Sequence, residues 1–304
     1  MGQLETDEGA PTAAALLNAA SERLRRSGSP SPRLDAELLI SHAFSRDRAW
    51  LHAHPAAELS SEAATALAGW LRRREAGEPI AYIRGFKEWL SLRVRVDERA
   101  LIPRPETELL AESAIAEIAS RLTRDGAPIL AWDVGTGSGA VALALALRFS
   151  SALALGRVRL VASDLSPDAL ELAAENLAAN GVGGLATLVC ADLISGTGTP
   201  QALPDLVVAN LPYVPFAEFA FAVGSLRYEP RAALDGGPDG LGLVRALLAQ
   251  LPERLAAHGV ALLEIGSGQA SAVRRFIDGL PMRAAVTTLP DLAGVDRVVR
   301  IARL

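Results

Sequence analysis

From residue 12 to residue 78 the apolar positions recur at helical spacing, with charged residues between them. Residues 12–26 are rich in Ala and Leu, end in a basic turn and stop before Gly28, which predicts a helix. Ser31-Pro32 opens a second, with Leu34, Leu38 and Leu39 near helical spacing. Ser60 or Ser61 caps a third that runs to Arg74 and stops at Gly77-Glu78-Pro79, with Leu67, Trp70 and Leu71 on its buried face. Arg72, Arg73 and Arg74 read as a solvated helix end that suits the dipole. At residues 89–96 the period changes to two: Leu90, Leu92, Val94 and Val96 alternate with Ser91, Arg93 and Arg95, as in one half-buried arm of a hairpin.

From residue 105 helical and strand patterns alternate. Helices are predicted at 106–121, 138–149, 167–180, 239–257 and 269–277. Strands are predicted at 129–134, 158–163, 186–191, 206–209 and 260–265, with two short ones near 283–288 and 296–302. Such alternation builds an α/β, doubly wound, mostly parallel sheet. The expected organisation is therefore a small N-terminal helical domain (1–78), a β-hairpin linker (79–104) and an α/β domain (105–304).

Composition narrows the class. Half of the 304 residues are apolar, enough for a sizeable core. The net charge of −5 argues against a protein that grips nucleic acid. One cysteine, Cys190, forms no internal disulfide, which fits a reducing cytoplasm. Four histidines and one thiol give no metal-ligand spacing; His52 and His54 read as a surface turn. The acidic, polar start is unlike a signal peptide. The longest apolar stretch, 140–155, is broken by Arg148 and two serines and is too short to span a bilayer.

The chemistry gathers in two places. The apolar run 206–209 reads as a buried strand, and Pro212 stops its continuation. Asn210 thus stands at a strand's carboxyl end, where ligands bind in open α/β sheets. Its carboxamide offers acceptor and donors, Pro212 stiffens the backbone, and Tyr213 adds a flat wall with a polar tip. Together they suit a planar group bearing an NH2, an amide or a nucleobase amine. The second place is Asp133-Val134-Gly135-Thr136-Gly137-Ser138-Gly139, between a strand and a helix, where glycines allow a tight turn and a close approach to a ligand. Gly135, Gly137 and Ala140 also satisfy a dinucleotide fingerprint, so the loop alone leaves an NAD-dependent dehydrogenase open. Asp133, two positions before the first glycine, favours a cationic cofactor, since it would repel a pyrophosphate. Asp164, ending the next strand, can accept ribose hydroxyls. Asp192, ending the third, is placed for an adenine amine or for a simple turn.

With Asn210-Leu211-Pro212-Tyr213 added, the sequence resembles class I S-adenosylmethionine-dependent methyltransferases that act on a planar nitrogen. Three further segments narrow this. They are Leu101-Ile102-Pro103-Arg104-Pro105-Glu106-Thr107-Glu108, then Tyr228-Glu229-Pro230 through Leu234-Asp235-Gly236-Gly237-Pro238-Asp239-Gly240-Leu241, and Leu263-Glu264-Ile265-Gly266 with Gln269. These closely resemble the HemK/PrmC family, the N5-glutamine methyltransferases of peptide chain release factors, over nearly the whole chain. The resemblance implies a Rossmann-like methyltransferase domain and a substrate-recognising helical domain at 1–78. It implies S-adenosylmethionine as cofactor, S-adenosylhomocysteine as product, and a release factor as protein partner. No direct nucleic-acid or membrane contact is expected, and a cytoplasmic monomer is. Substrate gripping transfers to Asn210, Pro212 and Tyr213, and to Leu211 through its carbonyl, since Leu211 stands where the family has proline. Cofactor binding transfers to Asp133, Gly135, Thr136, Gly137, Ser138, Gly139, Asp164, Asp192, Leu193 and Asn210. Leu193 stands where the family often has an aromatic, which makes the expected adenine packing aliphatic. Arg104, Glu106 and Glu229 read either as a lip over the entrance or as a salt-bridge lock, and Glu264 as a turn cap. The rivals are an adenine N6-methyltransferase on nucleic acid and a non-catalytic S-adenosylmethionine-binding protein.

Overall fold

The computed structural model describes residues 11–123, 127–196, 198–219 and 224–304. It forms two units, one running to Gly85 and taking in Gly224–Tyr228, the other holding the rest. The first unit is helical: α1 (Ala13–Arg26), α2 (Pro32–Ala43), α3 (Arg48–Ala53), α4 (Ser61–Glu75) and α5 (Ile80–Arg84). Thr12 and Ser60 cap α1 and α4 by accepting the amide three residues on. Leu17, Leu24, Leu39, Ile40, Leu51, Leu67 and Leu71 fill its core. The short α3 and α5 were not predicted. Arg74 departs from the expected solvated helix end. Its side chain is buried and its Nε donates to Asp35 Oδ2 at 2.7 Å, and Asp35 is buried as well.

In the second unit residues 86–95 form a complete hairpin, β1 (Phe86–Trp89) paired antiparallel with β2 (Leu92–Arg95). The single strand expected at 89–96 is thus corrected. The chain reverses at Leu90-Ser91, with φ +47° and +59°. Two non-glycine residues in the left-handed region form a poor turn signal. What stabilises this turn lies elsewhere: the Leu90 amide donates to Glu108 Oε1 at 3.0 Å, and Trp89 Nε1 to the Arg104 carbonyl at 2.9 Å. Residues 79–85 therefore group with the helices, and the hairpin groups with the sheet.

Then follow α6 (Thr107–Leu122), β3 (Ile129–Val134), α7 (Ala140–Arg148), α8 (Ser150–Ala154), β4 (Val158–Asp164), α9 (Pro167–Ala179), β5 (Ala186–Cys190) and β6 (Leu206–Ala209). The chain ends with α10 (Phe216–Phe219), α11 (Gly242–Arg254), β7 (Val260–Glu264), α12 (Ala270–Asp278), β8 (Ala284–Pro290) and β9 (Asp296–Arg303). The sheet order is β5-β4-β3-β6-β7-β9-β8. Five strands run parallel, and β9 and β8 are antiparallel. Every residue of β3, β6 and β7 is buried, as strands covered on both faces must be. From β3 the chain winds outward to β4 and β5, then returns to β6 on the other side. The strand order therefore reverses between β3 and β6, and their carboxyl ends frame the crevice where such sheets bind ligands. Val134 pairs with Ala209 in register, so Gly135 and Asn210 leave the sheet side by side. Among the described residues no helix is long and apolar enough to cross a membrane.

Candidate active site

Three glycines shape the loop after β3. Gly135, Gly137 and Gly139 have φ of +67°, +54° and +77°. A Cβ on Gly135 would lie 3.0 Å from Leu211 Cδ2, so the loop rests directly on that side chain. Leu211 is itself buried. It thus supports the glycine loop from below, and only its backbone is left for a ligand. Thr136 Oγ1 donates to Asp133 Oδ2 at 2.6 Å, and the Ala142 amide reaches the same oxygen at 3.1 Å. Asp133 is therefore a tie inside the loop. Burial pushes its pKa up to about 6 against those two hydrogen bonds, and Asp164 adds like charge.

Asp164 ends β4 as expected, and its oxygens accept the Gly137 amide and the Ser166 amide, each at 2.9 Å. The Ser138 carbonyl accepts Asn176 Nδ2 at 2.8 Å, and the same amide group pairs with Arg95 through Oδ1 (2.7 Å) and Nδ2 (3.0 Å). Asn176 is fully buried and ties the hairpin, α9 and the glycine loop together. Nothing near it in sequence announces that role. Asp192 is exposed and starts the turn that closes β5, with the Ser195 amide on its carbonyl at 3.0 Å. Leu193 occupies the left-handed region at φ +58° and packs into the sheet's core. Its carbonyl accepts Ser163 Oγ at 3.1 Å, and that hydroxyl accepts Trp132 Nε1 at 2.8 Å. The face expected to pack on adenine is thus largely inside the protein.

At the end of β6, Asn210 Nδ2 donates to Thr107 Oγ1 at 3.0 Å. Among the described residues no hydrogen bond engages its Oδ1. The Tyr213 hydroxyl stands 3.4 Å from Glu264 Oε1, and the Tyr213 carbonyl accepts Gln269 Nε2 at 3.1 Å. Gln269 Oε1 accepts the Gly266 amide at 2.8 Å, so one side chain ties the segments after β6 and β7. Burial, then the Glu264 charge, push the Tyr213 hydroxyl up to about 12, so it stays a neutral donor. Thr107 and Gln269 were not among the predicted site residues.

Of the two readings of Glu229 and Arg104, the geometry favours the lock. Glu229 Oε1 accepts Arg104 Nη2 at 2.6 Å and Oε2 accepts the Ile102 amide at 3.0 Å. The Glu229 side chain is 1% exposed. Glu229→Ala would leave a buried amide unpaired. The expected cost is about 1–3 kcal/mol, read as a lower unfolding midpoint with faster amide exchange at residues 101–104. Unchanged exchange there would refute the lock.

The strand order, the glycine loop after β3, the acid ending β4 and the Asn-Leu-Pro-Tyr turn after β6 define a class I S-adenosylmethionine-dependent methyltransferase. Residues 131–226 match the methyltransferase domain model, and residues 15–85 match the PrmC N-terminal domain model. The chain is 37% identical over 288 residues to the release factor glutamine methyltransferase of Deinococcus radiodurans, covering 95% of this chain and 97% of that one. It is 38% identical to that of Moorella thermoacetica, over 92% and 95% of the two chains. It is 34% identical to that of Rhodopirellula baltica, over 98% and 99%. Among solved structures the hMettl16 catalytic domain shares the fold, with a TM-score of 0.50 and 14% identity over 80% of this chain and 82% of that one. The chain belongs to the release factor glutamine methyltransferase (HemK/PrmC) family.

Proposed function

We propose that the chain transfers a methyl group from S-adenosylmethionine to the side-chain amide nitrogen of the glutamine in the Gly-Gly-Gln loop of a peptide chain release factor. The observation that carries this reading is the Asn210 carboxamide. Its nitrogen is committed to Thr107 and its oxygen is left as an acceptor at the mouth of the switch-point crevice, beside the glycine loop.

The residues present fit the cofactor. Gly135 and Gly139 let the loop pack closely on Leu211 and Ala173, and the loop's geometry is held by Asp133 and Asp164. When bound, S-adenosylmethionine supplies an electrophilic methyl on a sulfonium. An amide nitrogen is a poor nucleophile because its lone pair is delocalised, so the protein's task is to orient it. Asn210 Oδ1 and the carbonyl of Leu211 accept the two N–H bonds of the substrate amide. These acceptors stabilise the positive charge that grows on nitrogen as the new C–N bond forms and the S–C bond breaks. The methylated nitrogen then releases one proton to solvent, so no strong base is required. Tyr213 and Pro212 flank the amide plane. The helical unit that begins with α1 is assigned to holding the body of the factor, a cytoplasmic protein.

The test is methyl transfer from labelled S-adenosylmethionine to a purified release factor, beside the same factor with its loop Gln changed to Ala. Label in the first alone is expected. Label in both would place the acceptor at another residue of the factor, and label in neither would turn attention to adenine in nucleic acid.

A further inference from the structure

An asparagine carboxamide has two ends of nearly equal size, and only its partners decide which end faces the substrate. Here the deciding partner lies behind the site. Thr107 is buried and its Oγ1 accepts Asn210 Nδ2 at 3.0 Å. A hydroxyl has one proton. If Thr107 spent it on Asn210, the carboxamide would turn round and present nitrogen to the substrate. Glu264, at the end of β7, is placed to prevent this. It is 1% exposed, the Tyr213 hydroxyl stands 3.4 Å from its Oε1, and the Thr107 hydroxyl lies near enough to hold its pKa down. With the Thr107 proton drawn to that carboxylate, a lone pair remains for Asn210 Nδ2.

We propose that Thr107 and Glu264 are positioning residues that hold the Asn210 carboxamide with its oxygen turned to the substrate amide and hold Tyr213 beside it. This rests on the reading of Asn210 as the acceptor of the substrate's N–H. Glu264 is an expensive residue for mere packing: among the described residues its buried Oε2 has no hydrogen-bond partner. Burial pushes its pKa up to about 7, against the opposing influence of the Thr107 and Tyr213 hydroxyls. The charged groups around it are Glu106, which raises it further, and Arg297, which lowers it but is itself paired to Asp291 at 2.9 Å. Protonated, Glu264 becomes a donor, frees the Thr107 proton and lets Asn210 turn. The ionised form is therefore the productive one, and turnover falls as pH drops through about 7.

The experiment measures kcat, KM for the factor, and S-adenosylmethionine affinity across pH for wild type, Thr107→Val, Thr107→Ser and Glu264→Gln. Thr107→Val is expected to lower kcat about tenfold, the worth of one oriented hydrogen bond, with cofactor affinity unchanged and Thr107→Ser restoring most of it. Glu264→Gln is expected to lower kcat similarly and to abolish the acid limb near pH 7. Its stability should move the other way. The raised pKa of Glu264 favours the folded state at low pH, and this contribution is lost as pH rises through about 7. The Gln variant should therefore unfold at a higher temperature than wild type at pH 8 and not at pH 5. Wild-type kcat in Thr107→Val, or an unchanged acid limb in Glu264→Gln, would overturn the proposal. Failure of the wild type to label the factor would instead defeat the functional reading beneath it.

Discussion

Asn210→Ala is expected to lower methyl transfer to the release factor by about 10²-fold or more, the scale of losing one positioned polar group, while S-adenosylmethionine binds nearly as before. The two outcomes separate because the residue's commitments separate. The glycine loop is held by Asp133, Thr136, Asp164 and Asn176, none of which bonds to Asn210. Removing the carboxamide leaves that cradle intact. What is lost is an acceptor fixed before the substrate arrives. In water the glutamine NH2 would find acceptors equally good but none held in line with the methyl. The loss should therefore fall on kcat more than on KM for the factor, since the rest of the factor still binds. Near-normal kcat in Asn210→Ala would remove Asn210 from the chemistry, and weakened cofactor affinity alone would reassign it to the cofactor.

The central layer was legible because it is written locally. The apolar runs 129–134 and 206–209 are bounded by glycine and by Asn-x-Pro, and β3 and β6 fall on those residues. The loop after β3 and the turn after β6 were legible for the same reason, since each is one contiguous motif. What escaped depends on partners far along the chain. Leu90 and Ser91 continue a two-residue alternation through a reversal, and the group that stabilises the reversal, Glu108, is 18 residues away. Arg74 looks like a helix-end cation until Asp35, 39 residues earlier, is set beside it. Thr107 lies 103 residues from Asn210, and Asn176 lies 81 from the Arg95 backbone it binds. Leu193 follows β5, and a left-handed turn that no local motif announces packs it into the sheet's core. Motifs thus mark the candidate reacting groups, while the residues that aim them needed the fold.

Gly139 carries a large expected loss of stability, and comparison with Gly137 shows why. Both lie in the left-handed region, at φ +77° and +54°, where an L side chain costs roughly 1–2 kcal/mol. Their surroundings differ. A Cβ on Gly137 would meet nothing nearer than Ala100 Cβ at 3.8 Å, an ordinary contact. A Cβ on Gly139 would lie 2.8 Å from Ala173 Cβ and 3.0 Å from Ala173 Cα. Ala173 is fully buried in α9 and has no flexible end to move, so the clash must shift a helix. Overpacking of this kind adds about 1–3 kcal/mol. Gly139→Ala should therefore lose about 2–5 kcal/mol, and Gly137→Ala only the conformational part. Because Gly139 starts α7 and its amide closes the loop on the Thr136 carbonyl at 2.8 Å, the same shift should open the cofactor cradle. Unfolding midpoints and S-adenosylmethionine affinities of the two variants, measured side by side, decide the matter. Equal midpoints would mean that α9 does not pack against the loop, and the close approach would not be what requires glycine at position 139.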